Sequence, residues 1–319
     1  MEIKIKLDNN YIDPFGVPFH TILNSLNDPS KEIIQNKTQA VIKSKKTETL
    51  IDISKPEFIN KDNRVISSVL TIKTKLPSYF DKLIENYDAI RTLNQFASLG
   101  AITLIDNEYY LGTRLTIFEG DDLWNLHIPL ITMTVLYAED SIIGALEKIG
   151  SGKPAPTEKS FWKDKDFKIV ENYLKKICVC NYEDLVFTAE FPLSENAISV
   201  GISEKINTAL LTLKANENHL ELGGGLFSLL NMPHSFENQE ELFYIIKKFN
   251  QIEMQGIDLA PHYGAWTSGN EKTLSYVSFL PNIIYNLKGA EDIAVNMSYW
   301  ASERAQAANK ILSAEGIYF

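Results

Sequence analysis

Two cysteines in 319 residues rule out a disulfide framework. They are Cys178 and Cys180, one residue apart. Side chains at i and i+2 do not face each other on a helix, and on a strand they share a face at a spacing too wide for an easy bridge. The expectation is two packing thiols at the end of an apolar helix, in a reducing compartment such as the cytoplasm. No further ligand lies close to them in sequence, so no metal is expected. Long hydrophobic runs are also missing. The longest, Ile128 to Ala138, is broken by Pro129, Thr132 and Thr134 and falls short of the roughly 18 residues a membrane span needs. The first residues, Met1-Glu2-Ile3-Lys4-Ile5-Lys6-Leu7, alternate like a strand, so a secretory leader is not expected. Positive charge is short as well: 31 Lys and Arg stand against 41 Asp and Glu, for a net charge of −10. Binding to nucleic acid or to an anionic bilayer draws on clustered Lys and Arg, so neither partner is expected.

Catalytic signatures are equally scarce. There is no Gly-x-Ser-x-Gly elbow. The five histidines, His20, His127, His219, His234 and His262, include no pair at the i, i+4 spacing of a helical metal site. The cysteines have no neighbouring histidine to activate them. Gly223-Gly224-Gly225 runs into Leu226-Phe227-Ser228 without the Lys of a phosphate loop, and reads as a bulge or kink in a strand. No cofactor is expected.

What is present is ordinary globular composition, 45% apolar and 23% charged. At roughly 100–200 residues per domain the length implies two domains. The cluster Gly150-Ser151-Gly152-Lys153-Pro154-Ala155-Pro156-Thr157 punctuates the middle. It divides the chain into an N-terminal α+β domain over 1–150, a linker over 151–160 and a C-terminal α+β domain over 161–319. Residues 27–61 are polar, with short alternating pieces such as Leu50-Ile51-Asp52-Ile53, and suggest long loops carrying short strands.

Alternation over Arg64 to Thr74 predicts a strand. Phe80, Leu83, Ile84, Tyr87 and Ile90 recur at helical spacing behind Ser78. Ala101–Ile105 and Tyr109–Phe118 flank Asp106-Asn107-Glu108 as a hairpin. A strand over Ile131–Tyr137 and a short helix over Ile142–Ile149 follow. Beyond the linker the pattern predicts a helix over Phe161–Ile177 and a strand over Leu185–Phe191. A hairpin joins Ala209–Leu213 to His219–Leu222. A helix capped by Asn238 comes next, then a hairpin around Ser268-Gly269-Asn270 and a last helix over Ala290–Ser313. The fold class is therefore α+β, with antiparallel sheets and packed helices. The second half reads α-β-β-β-α-β-β-α. The first contains α-β-β-β-α behind extra strands, so a divergent tandem duplication is an expectation from element order, without convincing residue-level repetition.

That order in an acidic chain resembles the type III secretion chaperone-like fold, which includes YbjN-like proteins. The resemblance covers about Phe161 to Ser313 and has no signature motif, so it assigns no role to any residue. It implies a bacterial, non-enzymatic α+β unit that binds a client or partner protein, often as a homodimer. In a chain twice that length it implies an intramolecular pseudo-dimer. The expected function is protein binding of chaperone or adaptor type. The alternatives are a hydrolase with an unfamiliar site, or a secreted effector or phage-related protein.

Three constellations could carry chemistry. Glu119, Asp121 and Asp122 form an acidic loop beside Trp124 and His127. His234 and His262 could approach each other near Asp258. The third is the aromatic-rich stretch with His262, Tyr263 and Trp266, over which the last helix should lay Trp300 and Arg304. Aromatics at such spacing are usually core, but an arginine on a buried stripe needs a carboxylate or carbonyl partner. If the protein has a pocket, His262, Tyr263, Trp266, Trp300 and Arg304 are expected to form it.

Overall fold

The protein is described by a computed structural model. It covers residues 32–35, 38–43, 47–54, 57–60, 65–78, 91, 93–94, 100–118, 156–193, 208–236, 238–255, 261–270, 272–286 and 290–314. The strand over Ile131–Tyr137, the helix over Ile142–Ile149, the acidic loop and Asp258 lie outside these residues, as does most of the helix after Ser78.

Among the described residues the chain forms two antiparallel sheets with packed helices, an α+β fold. The first sheet contains β1 (Glu32–Gln35), β2 (Gln39–Lys43), β3 (Glu48–Ile53), β4 (Glu57–Asn60), β5 (Val65–Lys75), β6 (Ala101–Ile105) and β7 (Glu108–Phe118). Its order is β1-β2-β3-β5-β7-β6, and β4 continues the β3 side of β5. There Ser67 pairs with Glu57 on one flank and Phe118 on the other. The polar stretch over 27–61 thus supplies four strands with short connections rather than long loops. Alternation decides it: Ala40, Ile42, Ile51 and Ile53 all point into the core. The β6–β7 turn is made by Asp106 and Asn107 at φ of 50° and 63°, the left-handed pair a two-residue hairpin requires.

The second sheet follows α1 (Asp164–Leu174). It contains β8 (Val179–Glu183), β9 (Val186–Pro192), β10 (Thr208–Lys214), β11 (Gly225–Pro233), β12 (Ala265–Asn270) and β13 (Thr273–Pro281), in the order β8-β9-β10-β11-β13-β12. Helix α2 (Gln239–Gln255) joins β11 to β12, and α3 (Asn282–Tyr285) and α4 (Ala290–Ala314) close the chain. Asn238 caps α2 as its spacing predicts, accepting the Glu241 amide at 2.8 Å.

Two local expectations change. The helix over Phe161–Ile177 is shorter, and the cysteines lie beyond it, with Cys180 inside β8. The hairpin partner of β10 begins at Gly225, because His219–Leu222 is a turn. The His219 ring accepts the amides of Glu221 and Leu222 at 3.1 Å each, and Gly223 sits at φ 72°. Gly225 then meets β13 so closely that a Cβ would lie 2.3 Å from the Leu280 carbonyl oxygen. Residues 156–160 lie against this sheet, the Ser160 hydroxyl donating to the Gly225 carbonyl at 2.7 Å.

The two sheets repeat one unit. Setting β1, β2, β3, β5, β7 and β6 against β8, β9, β10, β11, β13 and β12 gives the same strand order. The register repeats too. One rung crosses the first sheet as Ile33–Ile42–Thr49–Thr74–Leu111–Ile102. Its counterpart in the second is Cys180–Ala189–Leu211–Leu230–Tyr276–Trp266. Each rung ends at a strand amide received by a helical asparagine: Ile102 N–H by Asn94 Oδ1 at 3.1 Å, Trp266 N–H by Asn250 Oδ1 at 2.8 Å. Each asparagine follows a buried apolar residue, Leu93 or Phe249, and precedes a glutamine. The second unit is four strands, a helix and two strands, one strand more than element order predicts because β8 is added, and β4 of the first sheet has no counterpart among its described strands.

The units meet at their inner edges. Asn94 and Asn250 both donate to the Trp266 carbonyl, at 3.4 and 3.0 Å. The His262 amide donates to the Arg114 carbonyl of β7 at 2.6 Å. Met254 of α2 packs on Gly112, where a Cβ would lie 2.7 Å from its sulfur.

Candidate functional site

Arg304 sits on the stripe of α4 that faces the second sheet, 4% exposed. A guanidinium there must be neutralised and hydrogen-bonded. Glu253, on α2 one helical turn beyond Phe249 and equally buried, does both. Arg304 Nε donates to Glu253 Oε1 at 2.7 Å, and its terminal nitrogen reaches Glu253 Oε2 at 3.3 Å and the Pro261 carbonyl at 2.8 Å. The guanidinium carbon lies 3.9 Å from the centre of the Tyr276 ring, a cation–π contact. Trp266 Nε1 donates to the same Glu253 Oε1 at 2.9 Å. His262 Nδ1 lies 3.0 Å from the Tyr276 hydroxyl and 3.6 Å from Glu253 Oε2.

Of the five residues singled out from the sequence, three line a cleft and two, His262 and Trp266, stand at the buried carboxylate instead. His262 and Trp266 approach Glu253 directly. Tyr263, Trp300 and Arg304 line a small cleft between α4 and the sheet, floored by the paired Ser228 and Ser278 beside Tyr276. Glu253 is the residue that sequence reasoning missed. Its signal was available: Leu242, Ile246, Phe249 and Glu253 follow helical spacing, and Arg304 required a carboxylate.

Burial alone would push the Glu253 carboxyl up. The Arg304 guanidinium and His262, with the hydrogen bonds from Arg304 and Trp266, outweigh it and hold the group below its usual range. His262 is driven the other way from cationic: burial foremost, helped by Arg304 and Arg114, lowers it to about 4 against the pull of Glu253. At neutral pH the centre is a carboxylate–guanidinium pair beside a neutral imidazole. The far imidazole nitrogen, Nε2, is buried with no hydrogen-bond partner among the described residues. The cleft holds about 20 Å³, room for about one water.

Tyr276, Trp266, Ser228 and Ser278 correspond in register to Leu111, Ile102, Ile72 and Thr113 of the first unit. Three of these four neighbours of the centre are thus aliphatic in the first unit.

The other two described histidines do other work. His234 accepts the Phe236 amide at 3.3 Å, and His219 stacks on Phe279 at 4.9 Å. Among the described residues no cluster of three or more His, Cys, Asp or Glu could hold a metal ion, and no helix is long and apolar enough to cross a membrane. No family model, no curated protein and no solved structure matches this chain.

Proposed function

We propose that this protein binds an extended segment of another protein, as a chaperone- or adaptor-like scaffold of the cytoplasm, and does not itself catalyse a reaction. One observation carries the reading. The repeat joins the units through β6 and β12 and leaves β1 and β8 as equivalent outer edges, with which no further described strand pairs. An edge strand is a template for an added strand. Val179 of β8 is 71% exposed, and Ile177 and Tyr173, which precede it in the chain, are 59% and 53% exposed.

Two further points support it. Two units in one chain would stand in for the homodimer that the resemblance to the type III secretion chaperone-like fold implies. The guanidinium of the polar centre is also already committed to Glu253 and the Pro261 carbonyl rather than presented to a ligand.

The test is capture by the tagged protein and by an Ile177→Lys/Val179→Lys variant, whose changes are exposed and leave the fold intact. A stoichiometric partner that survives moderate salt with the parent and is lost with the variant supports the reading. Equal capture by both, or capture by neither, sinks it.

A further inference from the structure

The two cysteines are in contact. Cys178 Sγ and Cys180 Sγ lie 3.6 Å apart, both half-buried beside the free edge of β8. Cys178 also points its thiol at the Leu174 carbonyl, 3.4 Å away at the C-terminal end of α1. Packing does not demand this pair. In the repeated register Cys180 stands where the first unit has Ile33. An aliphatic side chain fills the rung in one unit, and a dithiol is confined to the other.

We propose that Cys178 and Cys180 form a bidentate site for a soft, pyramidal trivalent centre of the arsenic(III) type. Three observations select that class. Soft thiols choose soft partners. Among the described residues no third or fourth ligand completes a cluster, which tetrahedral zinc would need. Two sulfurs already side by side suit a pyramidal centre that takes its ligands on one side, whereas a linear two-coordinate ion holds its sulfurs on opposite sides.

Electrostatics agree. Burial pushes the Cys178 thiol up to about 12, with Cys180 adding to the rise. Burial also raises Cys180, with a smaller contribution from Glu171, and outweighs the lowering by the hydrogen bond with Cys178. The carbonyl end of α1 adds negative potential. Free thiolates are penalised there, and a neutral chelate is not. For a monosubstituted arsenical, R–As=O plus two Cys–SH gives R–As(S–Cys)₂ plus H₂O. Two As–S bonds form, the two thiol protons leave with the oxygen as water, and arsenic stays trivalent.

The proposal stands apart from the docking reading, and its test needs no partner. The reduced full-length chain is titrated with phenylarsine oxide in excess glutathione and read by intact mass. One phenylarsenic adduct per chain is expected, stripped by dimercaptopropanol but not by the monothiol. Cys178→Ser and Cys180→Ser, each checked by circular dichroism, should bind roughly 10²–10⁴-fold more weakly, as the second contact becomes intermolecular. No adduct on the parent, or single variants that hold the arsenical as tightly, would overturn it.

Discussion

Cutting one side of the buried Glu253–Arg304 pair should be far more damaging than cutting both. Arg304→Met removes the guanidinium and leaves a carboxylate that is 4% exposed with Trp266 Nε1 as its remaining direct donor. Glu253→Gln keeps an acceptor for Trp266 but leaves the guanidinium buried without a counter-charge. Breaking a buried pair from either side costs about 3–5 kcal/mol. In the double variant neither charge remains, Met fills the stem volume, and Gln can still accept from Trp266. Exchange of a whole buried pair for apolar groups is often close to neutral. The double variant is therefore expected within about 2 kcal/mol of the parent, well below the sum of the singles. Urea unfolding followed by tryptophan fluorescence, with equal m-values as the control for a common mechanism, gives all four corners of the cycle. Additive losses in the double variant would refute the reasoning.

Three further outcomes follow from the same geometry. His262 titrates at about 4 in the native protein and near 6.5 when unfolded, so between those values the unfolded chain binds the extra proton. Stability is thus full above about 6.5 and falls by about 3 kcal/mol as pH drops to 4; the depressed Glu253 carboxyl adds a loss of the same sign as pH falls through its own native value. In unfolding titrations His262→Asn should flatten the slope between 6.5 and 4, and an unchanged slope would contradict the assignment. Asn250→Ala removes its own two hydrogen bonds to the buried Trp266 backbone and should cost about 2–4 kcal/mol in urea unfolding. Asn94→Ala, whose contact to Trp266 is long at 3.4 Å, should cost less, and the reverse ranking would be a contradiction. Gly225→Ala places a methyl against the Leu280 carbonyl and should lower the melting temperature sharply, while Gly223→Ala, with its nearest contact at 3.4 Å, carries mainly the strain of a positive φ.

Much of the fold is legible because it is periodic. The strand over 64–74, the Asp106-Asn107 hairpin, the Asn238 cap and the helix after residue 290 follow from alternation, turn chemistry and helical spacing. Strand β8 escapes notice because an exposed edge strand has little hydrophobic signature: Val-Cys-Asn-Tyr-Glu alternates only between exposed and half-buried. Its turn is also disguised, with Asp184 and Leu185 at φ of 47° and 60° where a glycine would have announced it. The repeat is hidden for a related reason. The units share register and burial, not identity, and pairs such as Thr49 with Leu211 or Leu111 with Tyr276 leave no trace in a comparison by residue type. At the polar centre, Arg304 betrayed itself by its place on an apolar stripe. Glu253 was harder to find because α2 offers Ile252 next to it as a more conventional core residue.

The docking edge is tested most directly by photo-crosslinking. A benzophenone amino acid at position 179, on the exposed edge of β8, is compared with one at position 244, where Tyr244 is 63% exposed on α2. The account predicts one discrete crosslinked partner from position 179, suppressed by Ile177→Lys, and none from 244. Crosslinks of equal yield from both positions, or from 244 alone, would contradict it.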